Sequence, residues 1–148
     1  MKNLIAEESI KIEAPVPVIW ELLTDPEKIK KWSPYQLDFQ NEQVLELGNE
    51  IYWKNNEGRT FAKGTVIELE PGHSIRISMN FTEWEKEADP DALTHIYSIF
   101  QKNKVITLTH TYGDFEKVPG GKKIFEEYMN TVSGRPAALE RIKEMAEE

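Results

Sequence analysis

Gly121-Lys122-Lys123-Ile124-Phe125-Glu126-Glu127-Tyr128-Met129-Asn130-Thr131-Val132, continued by Ser133-Gly134-Arg135-Pro136 and the run to Glu148, is the stretch on which the fold turns. Ile124, Phe125, Tyr128, Val132, Leu139 and Ile142 recur at helical spacing, and Lys122, Glu126, Glu127, Glu140, Arg141, Lys143 and Glu144 occupy the other side. The pattern predicts one long amphipathic helix from about Val118 to Glu148. Gly134 weakens it, and Pro136 cannot donate the helical hydrogen bond to the carbonyl of Val132, so a bend or a pair of helices is expected there. A bend at Ser133 to Pro136 would also be the place for a lid to flex. A helix with a single apolar stripe needs an apolar surface to cover, and the rest of the chain must supply it.

Upstream, the period is mostly that of strands. Leu4 to Ala14 alternates, with Ile10 and Ile12 on one face and Ser9, Lys11 and Glu13 on the other. Pro15 and Pro17 end that strand, and Val18 to Leu23 reads as a short buried helix. Asp25 or Thr24 can cap a second helix that begins at Pro26 and ends near Trp32, because Ser33 precedes a proline. Strands are then predicted over Tyr35 to Gln40, Glu50 to Lys54, Thr60 to Leu69, Ser74 to Phe81, Leu93 to Gln101 and Lys104 to Tyr112, separated by Gly-Asn, Asn-Asn-Glu-Gly and Pro-Gly turns.

The last hairpin can be given a register. A two-residue turn at Lys102-Asn103 would place His95 opposite His110, Tyr97 opposite Leu108 and Ile99 opposite Ile106. The other face would carry Thr94, Ile96, Ser98, Phe100, Val105, Thr107, Thr109 and Thr111, a Thr-rich surface suited to water. Both histidines are therefore expected on the inner face, under the long helix.

Bulk composition limits the function classes. At 148 residues one domain is expected, and with no cysteine neither thiol catalysis, thiolate metal sites nor disulfides can contribute. A formal net charge of -8 opposes binding to phosphate backbones, so nucleic acid is not an expected partner. Acidic residues follow Ala6 before any long apolar run, so neither a secretory signal nor membrane insertion is expected, and a cytoplasmic location is. Glu83, Glu85, Glu87, Asp89 and Asp91 crowd the segment around Trp84, which reads as a solvated loop or, on a second reading, a docking surface. No Gly-x-Ser-x-Gly elbow and no phosphate-cradling loop is present.

The order of strand, two short helices, about six antiparallel strands and a long terminal helix resembles the helix-grip fold of the START and Bet v 1-like superfamily. Ile10-Lys11-Ile12-Glu13-Ala14-Pro15-Val16-Pro17-Val18-Ile19-Trp20-Glu21-Leu22-Leu23-Thr24-Asp25-Pro26 through Trp32, Gly64 to Pro71 and Leu108-Thr109-His110 are similar to the branch named after the activator of Hsp90 ATPase. Members often carry Gly-Gly before the third strand and Gly-Trp near the start of the last helix. This chain has Gly48-Asn49 and Gly120-Gly121-Lys122 there. The resemblance implies an α+β fold, a curved antiparallel sheet of about seven strands gripping the C-terminal helix, with a cavity between them that in relatives holds lipids, sterols, polyketides or hormones.

The expected ligand is accordingly a small apolar or amphipathic molecule, with no cofactor, no metal and no assigned catalytic residue. His95 and His110 are the expected polar contacts, with Tyr97 and Tyr112 beside them. Trp53, Ile77, Met79, Phe81, Leu108, Phe125, Tyr128 and Val132 are the expected lining, with Trp32 and Tyr35 at the entrance. Ala62 and Gly64 are small where larger residues would fill space, which predicts a void. The alternatives are a cyclase or dehydratase using the same cavity and a co-chaperone-like interaction module. Family analogy adds a chaperone as a protein partner, and a homodimer is a further alternative.

Overall fold

The computed structural model describes residues 4–39, 43–86, 88–132 and 137–148. Strand β1 (Ala6–Ile12) is followed by helices α1 (Val16–Thr24) and α2 (Pro26–Trp32). Then come β2 (Gln36–Phe39), β3 (Glu50–Lys54), β4 (Thr60–Glu70), β5 (Ser74–Ser78), β6 (Asn80–Phe81), β7 (Thr94–Lys102) and β8 (Val105–Gly113). A 3-10 turn (Phe115–Lys117) leads to helices α3 (Gly121–Val132) and α4 (Ala137–Ala146). The strands form one antiparallel sheet in the order β1-β8-β7-β5-β4-β3-β2, with β6 also paired to β4. This is the α+β helix-grip architecture, and if β5 and β6 are counted as one interrupted strand the sheet has the expected seven.

Local chemistry accounts for the boundaries. Asp25 caps α2, its carboxylate accepting from the backbone N–H of Glu27 at 3.0 Å, and Pro26 occupies the first helical position. The predicted strand from Ser74 to Phe81 breaks at Met79, whose N–H donates to the carbonyl of Leu93 instead of to β4. The last hairpin turns at Asn103-Lys104 rather than Lys102-Asn103, with Asn103 at φ 60°. Lys102 therefore pairs with Val105, Tyr97 with His110 and His95 with Tyr112. Moving a two-residue turn by one position shifts the register by two, so each side chain keeps its predicted face. The two histidines share the inner face, but diagonally rather than directly opposite.

The outer face carries the predicted hydroxyls, Ser9 and Thr109 lying 2.9 Å apart across β1 and β8, but Thr94 at its end is buried, its hydroxyl donating to the carbonyl of Gly113 instead of meeting water. The core gathers Ile12, Ile19, Ile75, Leu108, Phe115 and Ile142, all fully buried. Gly64 serves the packing rather than a void: a Cβ there would collide with the carbonyl oxygen of Ser78 and with the Trp53 ring. Gly121, in the departure from the family pattern, is required likewise, because a Cβ would run into the carbonyl oxygen of Phe115.

The terminal helix begins at Gly121, not Val118, and its two described parts do different work. The second part, α4, grips the molecule through Leu139 and Ile142, both buried. It is tied to β1 by the Lys143 ammonium on the carbonyl of Lys11 (2.8 Å) and by Glu147 accepting from the N–H of Glu13 (2.9 Å). Ile124, Phe125 and Tyr128 of α3 are only half-buried, Phe125 against Phe115 and Tyr128 edge-on to Tyr112. The predicted bend at Ser133 to Pro136 lies outside the described residues.

Candidate functional site: an amphipathic cavity

A cavity of about 600 Å³ opens on the concave side of the sheet, within the range of small-molecule sites. Its walls follow the strand order. From the β1-β8-β7 side come Glu8, His110, His95 and Tyr97, with Tyr128 of α3 above them; from β5, β3 and β2 come Ile77, Ile51, Trp53, Leu37 and Phe39. Leu23, Ile29 and Trp32 of the two short helices, and Leu45, add further apolar wall, and Ala138, Leu139 and Glu140 of α4 also line the space. Histidine, tyrosine and Glu8 side chains are therefore gathered toward β1, β8 and β7, whereas the walls from β5, β3, β2 and the short helices are mostly apolar, with the rings of Phe39, Trp53 and Trp32 among them.

The predicted residues divide. Trp32, Tyr35, Trp53, Ile77, His95, Tyr97, His110 and Tyr128 all line the cavity. Tyr35 is 40% exposed at its edge, and Trp32 is held by a 2.7 Å hydrogen bond from its indole N–H to the carbonyl of Leu22. Met79 and Tyr112 stand behind the histidines rather than in the cavity wall. Leu108 is core, and Phe125 packs on Phe115. Phe81, displaced by the break at Met79, joins Phe61 and Trp84 in a separate aromatic group. Val132 belongs to α3, but its side chain lies outside the described residues. Glu8 escaped the sequence reading although its signal was present: the alternation that puts Ile10 and Ile12 inside also puts Glu8 inside. Ser33, Pro34 and Leu45 sit in aperiodic connections and carried no such signal.

The histidines form a hydrogen-bonded pair, edge to edge with ring planes 6° from parallel, Nδ1 of His95 lying 2.9 Å from Nε2 of His110. Tyr112 stacks on His95 at 3.9 Å between centroids, Tyr97 on His110 at 4.5 Å, and Trp53 covers His95 from β3 at 5.7 Å. Burial, and after it the neighbouring His110, holds His95 well below the ordinary imidazole pKa; burial brings His110 down to about 4. Both rings are neutral at pH 7. Met79 Sδ lies 3.3 Å from Nε2 of His95 and also accepts the Tyr112 hydroxyl at 3.0 Å. A thioether can only accept, so Nε2 of His95 carries the proton and its Nδ1 is bare. His110 must then donate from Nε2, which leaves its Nδ1 as a free acceptor.

Glu8 is paired in register with His110 across β1 and β8. Burial raises its carboxyl pKa, and its charge adds to the burial that pushes the Tyr97 and Tyr128 hydroxyls upward. Among the described residues no group of three His, Cys, Asp or Glu side chains is placed to hold a metal ion. Nor is any described helix long and apolar enough to cross a membrane.

A family model described as activator of Hsp90 ATPase homolog 1-like protein matches residues 13–147. No curated protein matches the chain. Among solved structures, a Mesorhizobium loti protein superposes with TM-score 0.71 at 16% identity, covering 95% of each chain. The Aha1 dimer from Colwellia psychrerythraea gives 0.69 at 18%, covering 97% of this chain and 96% of that one. DynU16, from the dynemicin biosynthetic locus, gives 0.69 at 17%, covering 97% of this chain and 47% of that one. At these identities the structural matches establish a shared fold.

Proposed function

Since the chain belongs to the activator of Hsp90 ATPase homolog 1-like family, we propose that it binds a small amphipathic molecule in the cavity between its sheet and its C-terminal helices. The observation that carries this is the open cavity of about 600 Å³ in which Glu8, His95, Tyr97 and His110 are gathered on the β1-β8-β7 side with Tyr128 beside them. An interior meant only to stabilise the fold would be close-packed, and buried polar groups would be spent on one another. Here Nδ1 of His110 is left to accept from a guest. Native mass spectrometry of the protein purified from its own cells tests the reading: a stoichiometric adduct lost on denaturation is expected. Bare protein, together with no binding of the neutral probe N-phenyl-1-naphthylamine, would overturn it.

A cyclase or dehydratase in the same cavity is the second reading, favoured by the presence of a histidine pair. A His110 pKa of about 4 makes it a weak base, and neither histidine is charged to act as an acid at neutral pH. The pair is better suited to binding than to proton transfer. The family's name, and the dimer of the Colwellia relative, suggest a chaperone partner and self-association as interactions compatible with ligand binding.

A further inference from the structure

Resting on that ligand-binding reading, we infer that the guest is an amphipathic cation: a protonated amine seated at Glu8 against the rings of Tyr97 and Tyr128, its apolar body lying toward Leu37 and Ile51. Charge is the first argument. The described lining contains two carboxylates, Glu8 and Glu140, and neither a lysine nor an arginine. A fatty acid or phosphate head would meet Glu8 with no lysine or arginine among the described lining residues to offset it, in a protein whose formal net charge is already -8. Hydrogen-bonding polarity is the second argument. The ionised Glu8 carboxylate can only accept, and the tautomer imposed by Met79 makes Nδ1 of His110 an acceptor as well. An ammonium group has N–H bonds to give to both. Aromatic rings add to this: Tyr97 and Tyr128 line the cavity on the same side as Glu8, with Trp32 edge-on to Tyr97, and a partly desolvated cation is attracted to aromatic rings.

The topology fixes the polarity of the bound molecule. Glu8 lies on β1, at one edge of the sheet, and Leu37 on β2, at the other. A head at the first and a hydrocarbon body at the second would span the concave face.

The test compares three twelve-carbon probes on the full chain by calorimetry, each below its micelle concentration or solubility limit: dodecylamine, dodecanol and dodecanoate. Wild-type protein is expected to bind the amine at least tenfold more tightly than the alcohol, and dodecanoate more weakly than either. In Glu8→Gln the amine-to-alcohol ratio is expected to fall about tenfold. Dodecanoate binding as tightly as dodecylamine overturns the inference while leaving the ligand-binding reading in place, and so does an unchanged ratio in a folded Glu8→Gln protein. Failure of all three probes to bind overturns the inference, and removes the ligand-binding reading too only if N-phenyl-1-naphthylamine also fails to bind and the protein is bare by native mass spectrometry. The wild-type comparison decides even if Glu8→Gln does not fold.

Discussion

Nδ1 of His95 lies 2.9 Å from Nε2 of His110, and a single proton occupies the space between them. Met79, on the far side of His95, decides whose proton it is. Long-range proton–nitrogen correlation spectra at neutral pH should show both imidazoles neutral and protonated at Nε2. A His110 ring protonated at Nδ1 would reverse the hydrogen bond and remove the acceptor offered to the cavity.

Met79 should then matter more than its volume suggests. Met79→Leu keeps the size but removes the acceptor shared by Nε2 of His95 and the Tyr112 hydroxyl. Two buried donors lose their partner, and chemical unfolding should report a loss of about 1–3 kcal/mol, against under about 1.5 for an apolar swap of equal volume. A loss below 0.5 kcal/mol, on the order of a neutral surface change, would mean the sulfur contacts carry no weight.

Stability should depend on pH through the same pair. The unfolded chain takes up a proton at each histidine near pH 6.5, whereas folded His110 does so only near 4. Between those values the unfolded state binds more protons, so stability is full above about pH 6.5 and falls as the pH drops toward 4. His110 alone accounts for about 3 kcal/mol across that window, and His95 acts in the same direction. His110→Gln, which can still donate to His95 but cannot titrate here, should flatten the slope. Equal slopes in urea titrations of the two proteins at pH 7 and 5 would contradict the assignment.

The architecture was legible in the sequence because hydrophobic period and proline punctuation are local signals. The inner face of the last hairpin was legible for a subtler reason, since a two-residue turn displaced by one position preserves which side each residue faces. The pairing of His95 with His110 was harder, because Asn103 at positive φ chose the turn. Glu8 was legible, two residues before Ile10 on the same face, but a charge on an apolar stripe reads as a boundary rather than as a site. The roles of Gly64 and Gly121 depend on carbonyls brought near them from Ser78 and Phe115, and long-range approach of that kind leaves no trace in the local pattern.

Gly64 gives a direct check on that last point. Gly64→Ala places a methyl group against the Ser78 carbonyl and the Trp53 ring, and neither backbone nor indole can yield cheaply. A loss of about 1–3 kcal/mol is expected, with Trp53 displaced from its stack on His95. Indole fluorescence would register the displacement, and an unchanged spectrum with unchanged stability would show that the strand bends out of the way.

Leu37 offers the cleanest way to separate the cavity from the fold. It sits on the edge strand β2, opposite Trp53 in register, and lines the mostly apolar side of the space. In a close-packed interior Leu37→Trp would cost about 1–3 kcal/mol of strain, because no void could take the larger ring. In the open cavity the indole enters unfilled volume and gains contacts, so the melting temperature should move by only a few degrees. Binding of N-phenyl-1-naphthylamine should weaken at least tenfold, since the added ring occupies the space its naphthyl group needs. A strongly destabilised variant would mean that the volume beside Leu37 is already filled. A stable variant that still binds the probe at full strength would place the binding site elsewhere on the molecule.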